Sequence, residues 1–379
     1  MIKLNPTILE NYKEKYLTTI LSKINDNYSN NTQKMKYLNP FTGDKLEILF
    51  YKWNSNFLED LVIQPIHYII ANYSEIEKYF NTAQLVYYSN FSVDYELTRY
   101  GLKKNPSSRQ KFREQFVKKY TNDWITPILS NHKKYYENNS KFNKMIADVK
   151  DKLSKLNKLI LYFINYSFLG DKTRHELLVS MDIPVCPYCN RQYITSYFNG
   201  KQNKTTADLD HILPKSFFPI FSLSLNNFIP SCQICNSRFK LNKGIEIINP
   251  YLDNFEANFK VSLTSNSEID SIQGLDSEFK LHLKINEKNP NKKIILENTV
   301  DLFQLENVYQ IHKNIVREAL YKKNAYRKTY TNQLKKLFED DMKLTETEIN
   351  LFLYGNNLNP NDFQSRPLSK LTYDVLNDI

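Results

Sequence analysis

Two CxxC pairs constrain this chain more than any other feature. All four cysteines of its 379 residues lie in one stretch, Cys186 with Cys189 and Cys232 with Cys235. A CxxC turn aims two thiolates at one point, and two such turns complete the tetrahedral shell that zinc takes. The chain opens MIKLNPTILENYKEKYL, amphipathic at once and without the apolar core of a secretory leader. No run of about 18 apolar residues follows. A cytoplasmic, reducing setting is therefore the expectation, in which paired cysteines serve as metal ligands rather than as disulfides. No cysteine is left over for catalysis, so the expected site is a closed, structural zinc; buried free thiols are the competing reading.

The spacing between the pairs carries further information. Cys189 and Cys232 are separated by 42 residues, more than the roughly 15–20 of a zinc ribbon, so a folded unit must fit between the knuckles. That unit contains DLDHILPKSF, in which Asp210 stands beside His211, with Leu209 and Ile212 as apolar neighbours and Pro214 closing the segment. The pattern reads as a strand end. Asn227 follows His211 by 16 residues, and Asn236 follows Asn227 by nine, directly after Cys235 and near an expected helix start.

These residue types suit phosphodiester hydrolysis, which needs an activated water and a cation over the developing charge. A neutral imidazole is a competent base near neutral pH. Carboxylate and amide oxygens are hard ligands that suit magnesium. One acid, one amide and one histidine are a sparse set, better matched to one divalent ion than to two. The alternative is that Asp210-His211 is only a packed strand end, in a non-catalytic, zinc-stabilised nucleic-acid-binding or scaffold protein. A pure protein-interaction adaptor is the third reading.

The arrangement CPYCN…DLDHILPKS…SLNNFIPSCQICNSRFK, covering 186–251, closely resembles the HNH endonucleases, whose ββα-metal site is often braced by a four-cysteine zinc. The resemblance implies that His211 is the general base and that Asp210 and Asn236 hold one magnesium or manganese ion. It implies that Asn227 bonds backbone to hold the histidine loop, with Asn226 the alternative. Lys215, Arg238, Lys240 and Lys243 are the nearby cations for substrate; the family often has a Lys shortly after the last Asn, and here Arg238 and Lys240 compete for that place. With the aromatic, Lys-rich flanks and the NPY at 249–251, the pattern also resembles the PtuB-like HNH component of Septu-type anti-phage systems, which implies an ABC/SMC-like ATPase as partner.

The fold class expected is thus α+β: a zinc-braced ββα-metal HNH module at 176–251, between a mainly helical region at 1–175 and a strand-containing, then helical region at 252–379. Seven glycines, with neither GxGxxG nor GxxxxGK[ST], disfavour nucleotide-binding folds. A net charge of +10 favours a polyanionic partner, DNA or else RNA, since each neutralised phosphate releases counterions. Helices are expected at 1–25, ending in the Asn-rich 25–31, at 57–80 with a kink or a split at Pro65, and at 142–168, ended by Gly170 and Asp171. The stripe Ile146, Val149, Leu153, Leu156 and Ile160 reads as core or as a docking face. A short helix follows at 172–181. Ser107 and Ser108 are expected to cap a helix that projects Arg109, Lys111, Arg113, Lys118 and Lys119, either onto phosphates or into solvent. Strands are expected at 261–263 and 279–285, with a polar loop at 286–293. A long helix is expected over 300–338, with Leu302, Leu305, Val308, Ile311, Ile315, Ala319 and Leu320 buried and Lys313, Arg317, Lys322, Lys323, Arg327 and Lys328 as a basic face. His67, His132, His175, His282 and His312 read as structural.

Overall fold

The sequence between the cysteine pairs folds into two short antiparallel strand pairs. β1 (Ser196–Phe198) pairs with β2 (Asn203–Thr205), and β3 (Ala207–His211) with β4 (Phe228–Cys232). A third pair, β5 (Ala257–Leu263) with β6 (Phe279–Ile285), lies further along the chain. A lone strand pair is marginal in water, and here helices from both flanks cover the pairs, giving a mixed α+β architecture in which helix predominates. This computed structural model describes residues 1–89, 105–263, 268–326 and 345–378, with positions 330, 332–334 and 336.

Before the central unit run α1 (Glu10–Ser29), α2 (Ser55–Ile63), α3 (Ile66–Asn72), α4 (Ser74–Ser89), α5 (Pro106–Tyr120), α6 (Asn139–Ile160) and α7 (Gly170–Met181). In α1, Tyr12, Tyr16, Ile20 and Ile24 repeat every fourth residue and are all buried. The stripe Ile146, Val149, Leu153, Leu156 and Ile160 of α6 is likewise buried, so it is core and not a free docking face. After β5 and β6 come α8 (Pro290–Leu302), α9 (Leu305–Tyr309), α10 (Lys313–Ala325), α11 (Glu346–Tyr354) and α12 (Ser369–Asp378). Among the described residues no helix is long and apolar enough to cross a membrane.

One hydrophobic cluster runs through all three stretches of the chain. Buried polar anchors stitch the flanks to the centre. Tyr16 donates to the Leu223 carbonyl at 2.8 Å, and Asn226 to the Ile63 carbonyl at 2.8 Å. From the other side Tyr309 donates to the Cys189 carbonyl at 2.5 Å, and the Leu368 N–H to the Asn190 carbonyl at 2.6 Å.

Several expectations are corrected. α1 continues through 25–29 because its asparagines and Tyr28 find partners: Tyr28 stacks on Trp53 at 4.1 Å, and Asn25 accepts from the Trp53 indole at 3.0 Å. Pro65 splits the 57–80 segment rather than kinking it, separating α2 from α3, and a second break at Tyr73 separates α3 from α4. Asn105, not Ser107 or Ser108, caps α5, accepting from the Ser108 N–H at 3.1 Å. Arg113 does not face solvent: it is 3 % exposed and donates to the Tyr136 and Glu137 carbonyls and to Asn139. α6 stops at Ile160, and Gly170 begins α7 instead of ending a helix. Its φ of 63° is a left-handed turn that glycine makes without a Cβ penalty.

Strand β5 begins at Ala257, four residues before its expected start, and α8 begins at Pro290, inside the expected polar loop. The 300–338 segment is broken rather than continuous, with Gln304 left-handed at φ 50°. Each break resets helical phase, so Ile311 is 77 % exposed and Ile315 is exposed, while Tyr309 and Val316 take the core positions. Arg327 and Lys328, part of the expected basic face, lie outside the described residues.

Candidate functional site

The two knuckles meet. All four cysteines are buried, and their Sγ atoms lie within 4.8 Å of one another. Zinc–sulfur bonds of about 2.3 Å fit such a cluster, and no other group of three or more His, Cys, Asp or Glu among the described residues gathers in this way. The first knuckle closes with the Asn190 N–H on the Cys186 carbonyl at 2.8 Å, Asn190 itself being left-handed at φ 50°, a conformation asparagine tolerates. In the second, Cys232 ends β4 and Cys235 opens a π-helical turn, Cys235–Lys240. Hydrogen bonds from Cys186 and the other thiols hold Cys189 well below the usual thiol pKa, while burial raises Cys186 and hydrogen bonds with the other thiols raise Cys235, so the four share their protons as one cluster.

β3 runs from this cluster into the second feature. Its register against β4 sets Asp208 opposite Ser231, Asp210 opposite Ile229 and His211 opposite Phe228. Asp208 and Asp210 share a face of the strand, because side chains alternate. Asp210 and His211 are 6 % and 7 % exposed, yet both line a cavity of about 310 Å³ with Asn236, Ser237, Lys215, Lys240 and Tyr166.

Asp210 and His211 each have definite partners. Asp210 accepts from the Tyr188 hydroxyl at 2.7 Å and is ion-paired to the Lys240 ammonium at 3.0 Å. Lys240 also donates to the His211 carbonyl at 2.7 Å. The His211 Nε2 lies 3.0 Å from the Ser222 carbonyl. A carbonyl only accepts, so Nε2 carries the proton and Nδ1 keeps its lone pair. Burial between Tyr166 and Phe228 lowers the His211 pKa to about 4, despite the opposing Ser222 bond, with Lys215, Lys240 and Arg174 adding repulsion. The imidazole is therefore neutral at physiological pH.

Asn227 is fully buried beside the cavity. Its amide accepts from the Leu213 N–H at 2.8 Å and donates to the Leu213 and Phe221 carbonyls at 3.1 and 3.0 Å. It thus clamps the loop that follows His211. Asn226 points the other way, to α2. Asn236 donates to Asp208 at 3.0 Å and not to Asp210; with its NH2 so engaged, its carbonyl oxygen is the atom left over.

Of the four expected substrate cations, Lys215 and Lys240 line this cavity. Lys243 faces a separate, apolar one, and Arg238 is exposed outside both. Of the other histidines, His312 accepts from Arg191 at 3.0 Å and His132 pairs with Asp148 at 2.6 Å.

Sequence reasoning missed Tyr188, Asp208, Tyr166 and Arg174. Tyr188 sits inside the first CxxC, and Asp208 stands two residues before Asp210, so strand alternation and knuckle position were usable signals for both. Tyr166 and Arg174 come from the helical flank and have no linear signal. As donors, Asp210 and the Asn236 carbonyl suit a hard divalent ion, and Lys240 is the cation that balances Asp210 meanwhile. Comparison with known proteins finds no matching family model, no matching curated protein and no matching solved structure.

Proposed function

We propose that the chain is a metal-dependent HNH endonuclease that hydrolyses phosphodiester bonds of DNA. The observation that carries this reading is a buried, neutral His211 sharing one cavity with Asp210 and Asn236, at the end of a strand pair braced by four cysteines. Asp210 and Asn236 would hold a magnesium or manganese ion, which supplies charge stabilisation at the phosphate and the leaving oxygen. The cysteines would hold zinc as a brace.

The chain's own residues do the rest. His211 takes the proton of the attacking water at Nδ1, because Nε2–H is committed to Ser222. The Ser222 carbonyl fixes the tautomer and supports the imidazolium as it forms. Asn227 keeps the 211–213 backbone from shifting, and Tyr188 fixes the rotamer of Asp210. Such positioned proton transfer contributes about 10²–10⁴ in rate. The role as an effector of anti-phage defence beside an ABC/SMC-like ATPase rests on the resemblance of the 186–251 pattern alone.

The test is plasmid nicking with magnesium or manganese. His211→Ala is expected to abolish it with helicity and zinc content unchanged. Wild type that cuts no nucleic acid with either metal, alone or with a cognate ATPase, would overturn the assignment. One observation favours the second reading, a non-catalytic zinc-stabilised nucleic-acid-binding or scaffold protein: the Asp210 carboxylate already has Lys240 and Tyr188 as partners. Under that reading, manganese binds no more tightly to wild type than to Asp210→Asn.

A further inference from the structure

Beside His211 stands a pair of cations whose one acid, Asp171 on Arg174, is almost fully exposed. Lys215 places its ammonium 3.7 Å from the centre of the Tyr166 ring, and the Arg174 guanidinium lies 5.4 Å from the same ring. Tyr166 in turn meets the His211 imidazole edge-on at 4.9 Å. Tyr166 and Lys215 both line the His211 cavity. The side chains come from two parts of the chain: Arg174 from α7 and Tyr166 from the 3-10 turn Tyr166–Leu169 directly before it, and Lys215 from the loop clamped by Asn227.

An ordinary surface cation–π contact does not need this arrangement. Two cations held against one ring repel each other, and folding brings them together only where something offsets the cost. Among the described residues Lys215 has no ion pair. Arg174 has only Asp171, at 3.4 Å and with a side chain 99 % exposed. The Arg174 Nε is buried and meets no acceptor. Burial, and then the charge of Arg174, lower the Lys215 pKa, as expected where positive charge lacks a counterpart. The carboxylate on the other side of the cavity, Asp210, is already matched by Lys240.

We propose that Arg174, Tyr166 and Lys215 form a phosphate subsite, which grips a DNA backbone phosphate neighbouring the one attacked beside His211. Arg174 supplies a planar fork suited to phosphate oxygens, Lys215 a point charge, and Tyr166 the platform that holds both at a fixed distance from the imidazole. The ligand rests on the nuclease reading above. The subsite adds that the helical flank, not only the cysteine-braced unit, reads the substrate.

The test is binding of a labelled 20-base-pair DNA duplex to the zinc-loaded full chain in EDTA-free buffer lacking magnesium and manganese, by fluorescence anisotropy across a salt series. Each phosphate contact removed lowers the slope of log affinity against log salt by about one. Arg174→Gln and Lys215→Gln are expected to lower it by about one each, and the double variant by about two. Arg174→Lys is expected to restore most of the slope and little of the low-salt affinity. Lys201→Gln with Lys204→Gln, exposed cations outside the cavity, serves as the charge control and is expected to lower it little. A double variant that keeps the wild-type slope, or a control that loses as much, overturns the subsite; Lys215→Gln, at an exposed position, settles it alone if the Arg174 variants do not fold. Wild type that binds no DNA also overturns it. Wild type that binds with the expected slopes but never cuts overturns only the nuclease reading.

Discussion

The two longer strand pairs of this molecule are built on opposite plans. In β6 the buried Phe279, Leu281 and Leu283 alternate with exposed Lys280 and Lys284, and Phe259 of β5 packs on Tyr309 at 4.2 Å. One face is core and the other is wet. β4 is buried at every position, and β3 at all but the half-buried Asp208. A pair with a wet face needs only its apolar alternation to be stable. An enclosed pair that carries two acids and a histidine needs a specific partner for each polar group, since an unmatched one costs about 1–3 kcal/mol and a charge more. Tyr188, Lys240, Ser222 and Asn236 are those partners. β5–β6 is therefore held by apolar packing and by acceptors for its edge N–H groups, Asp374 on Phe259, Gln310 on Leu281 and Glu306 on Leu283. β3–β4 is held instead by partners of its own charged side chains and by the cysteine cluster into which Cys232 runs.

The comparison breaks first at the cysteines. Cys186→Ser or Cys235→Ser removes one of four cysteines placed to hold a metal, and a structural zinc contributes on the order of 10 kcal/mol to folding where it binds. Loss of cooperative unfolding and of bound zinc, read by calorimetry and elemental analysis, is the expected outcome. A chain that stays folded after zinc is stripped would show that β3–β4 does not depend on the brace. The β5–β6 counterpart is Phe259→Ala, expected to cost about 3–5 kcal/mol in urea unfolding. Phe259 does not line the cavity, so under the proposed activity nicking per folded molecule should stay within about twofold of wild type.

The enclosed pair also carries a pH signature. An unfolded imidazole titrates at about 6.5, whereas folded His211 titrates at about 4. Between these values the unfolded chain binds the extra proton. The contribution of neutral His211 is therefore fully present above pH 6.5 and is lost as pH falls towards 4, in total about 3 kcal/mol. Thiolate protonation also weakens the brace in acid, so the measurement is the difference between wild type and His211→Gln from pH 7 to 4. Parallel stability curves would refute the burial of the imidazole.

How much of this was legible differs between the two plans. Alternation at 279–285 gave β6 its full length, and the cysteine spacing gave the metal cluster. The sequence order of Asp210, His211, Asn227 and Asn236 singled out residues that the fold gathers around one strand end. What distinguishes the cavity was hidden. Lys240 on Asp210, Lys215 on Tyr166 and the Asn236–Asp208 bond are contacts between distant segments, and no local pattern encodes them. Arg113 shows the same limit, since its buried bonds go to carbonyls of residues 136 and 137. In the helices that cover β5–β6 the limit is of another kind. A continuous 3.6-residue period was assumed through 300–338, and the breaks after Leu302 and at 310–312 rotate each following turn.

That phase change gives the smallest and most discriminating effect. A continuous helix would bury Ile311 and Ile315, whereas the observed breaks expose both and bury Val316 of α10, 1 % exposed. Ile311→Ser is therefore expected within about 0.5 kcal/mol of wild type, as for surface positions in general. Val316→Ala, which removes a smaller side chain's worth of atoms, is expected to cost about 2 kcal/mol through lost burial and an unfilled cavity. The inequality runs against residue size, so urea midpoints of the two variants decide it without reference to any absolute scale. If Ile311→Ser were the more damaging, α9 and α10 would be one continuous helix, and the face packed on β6 would be the one that a regular period gives.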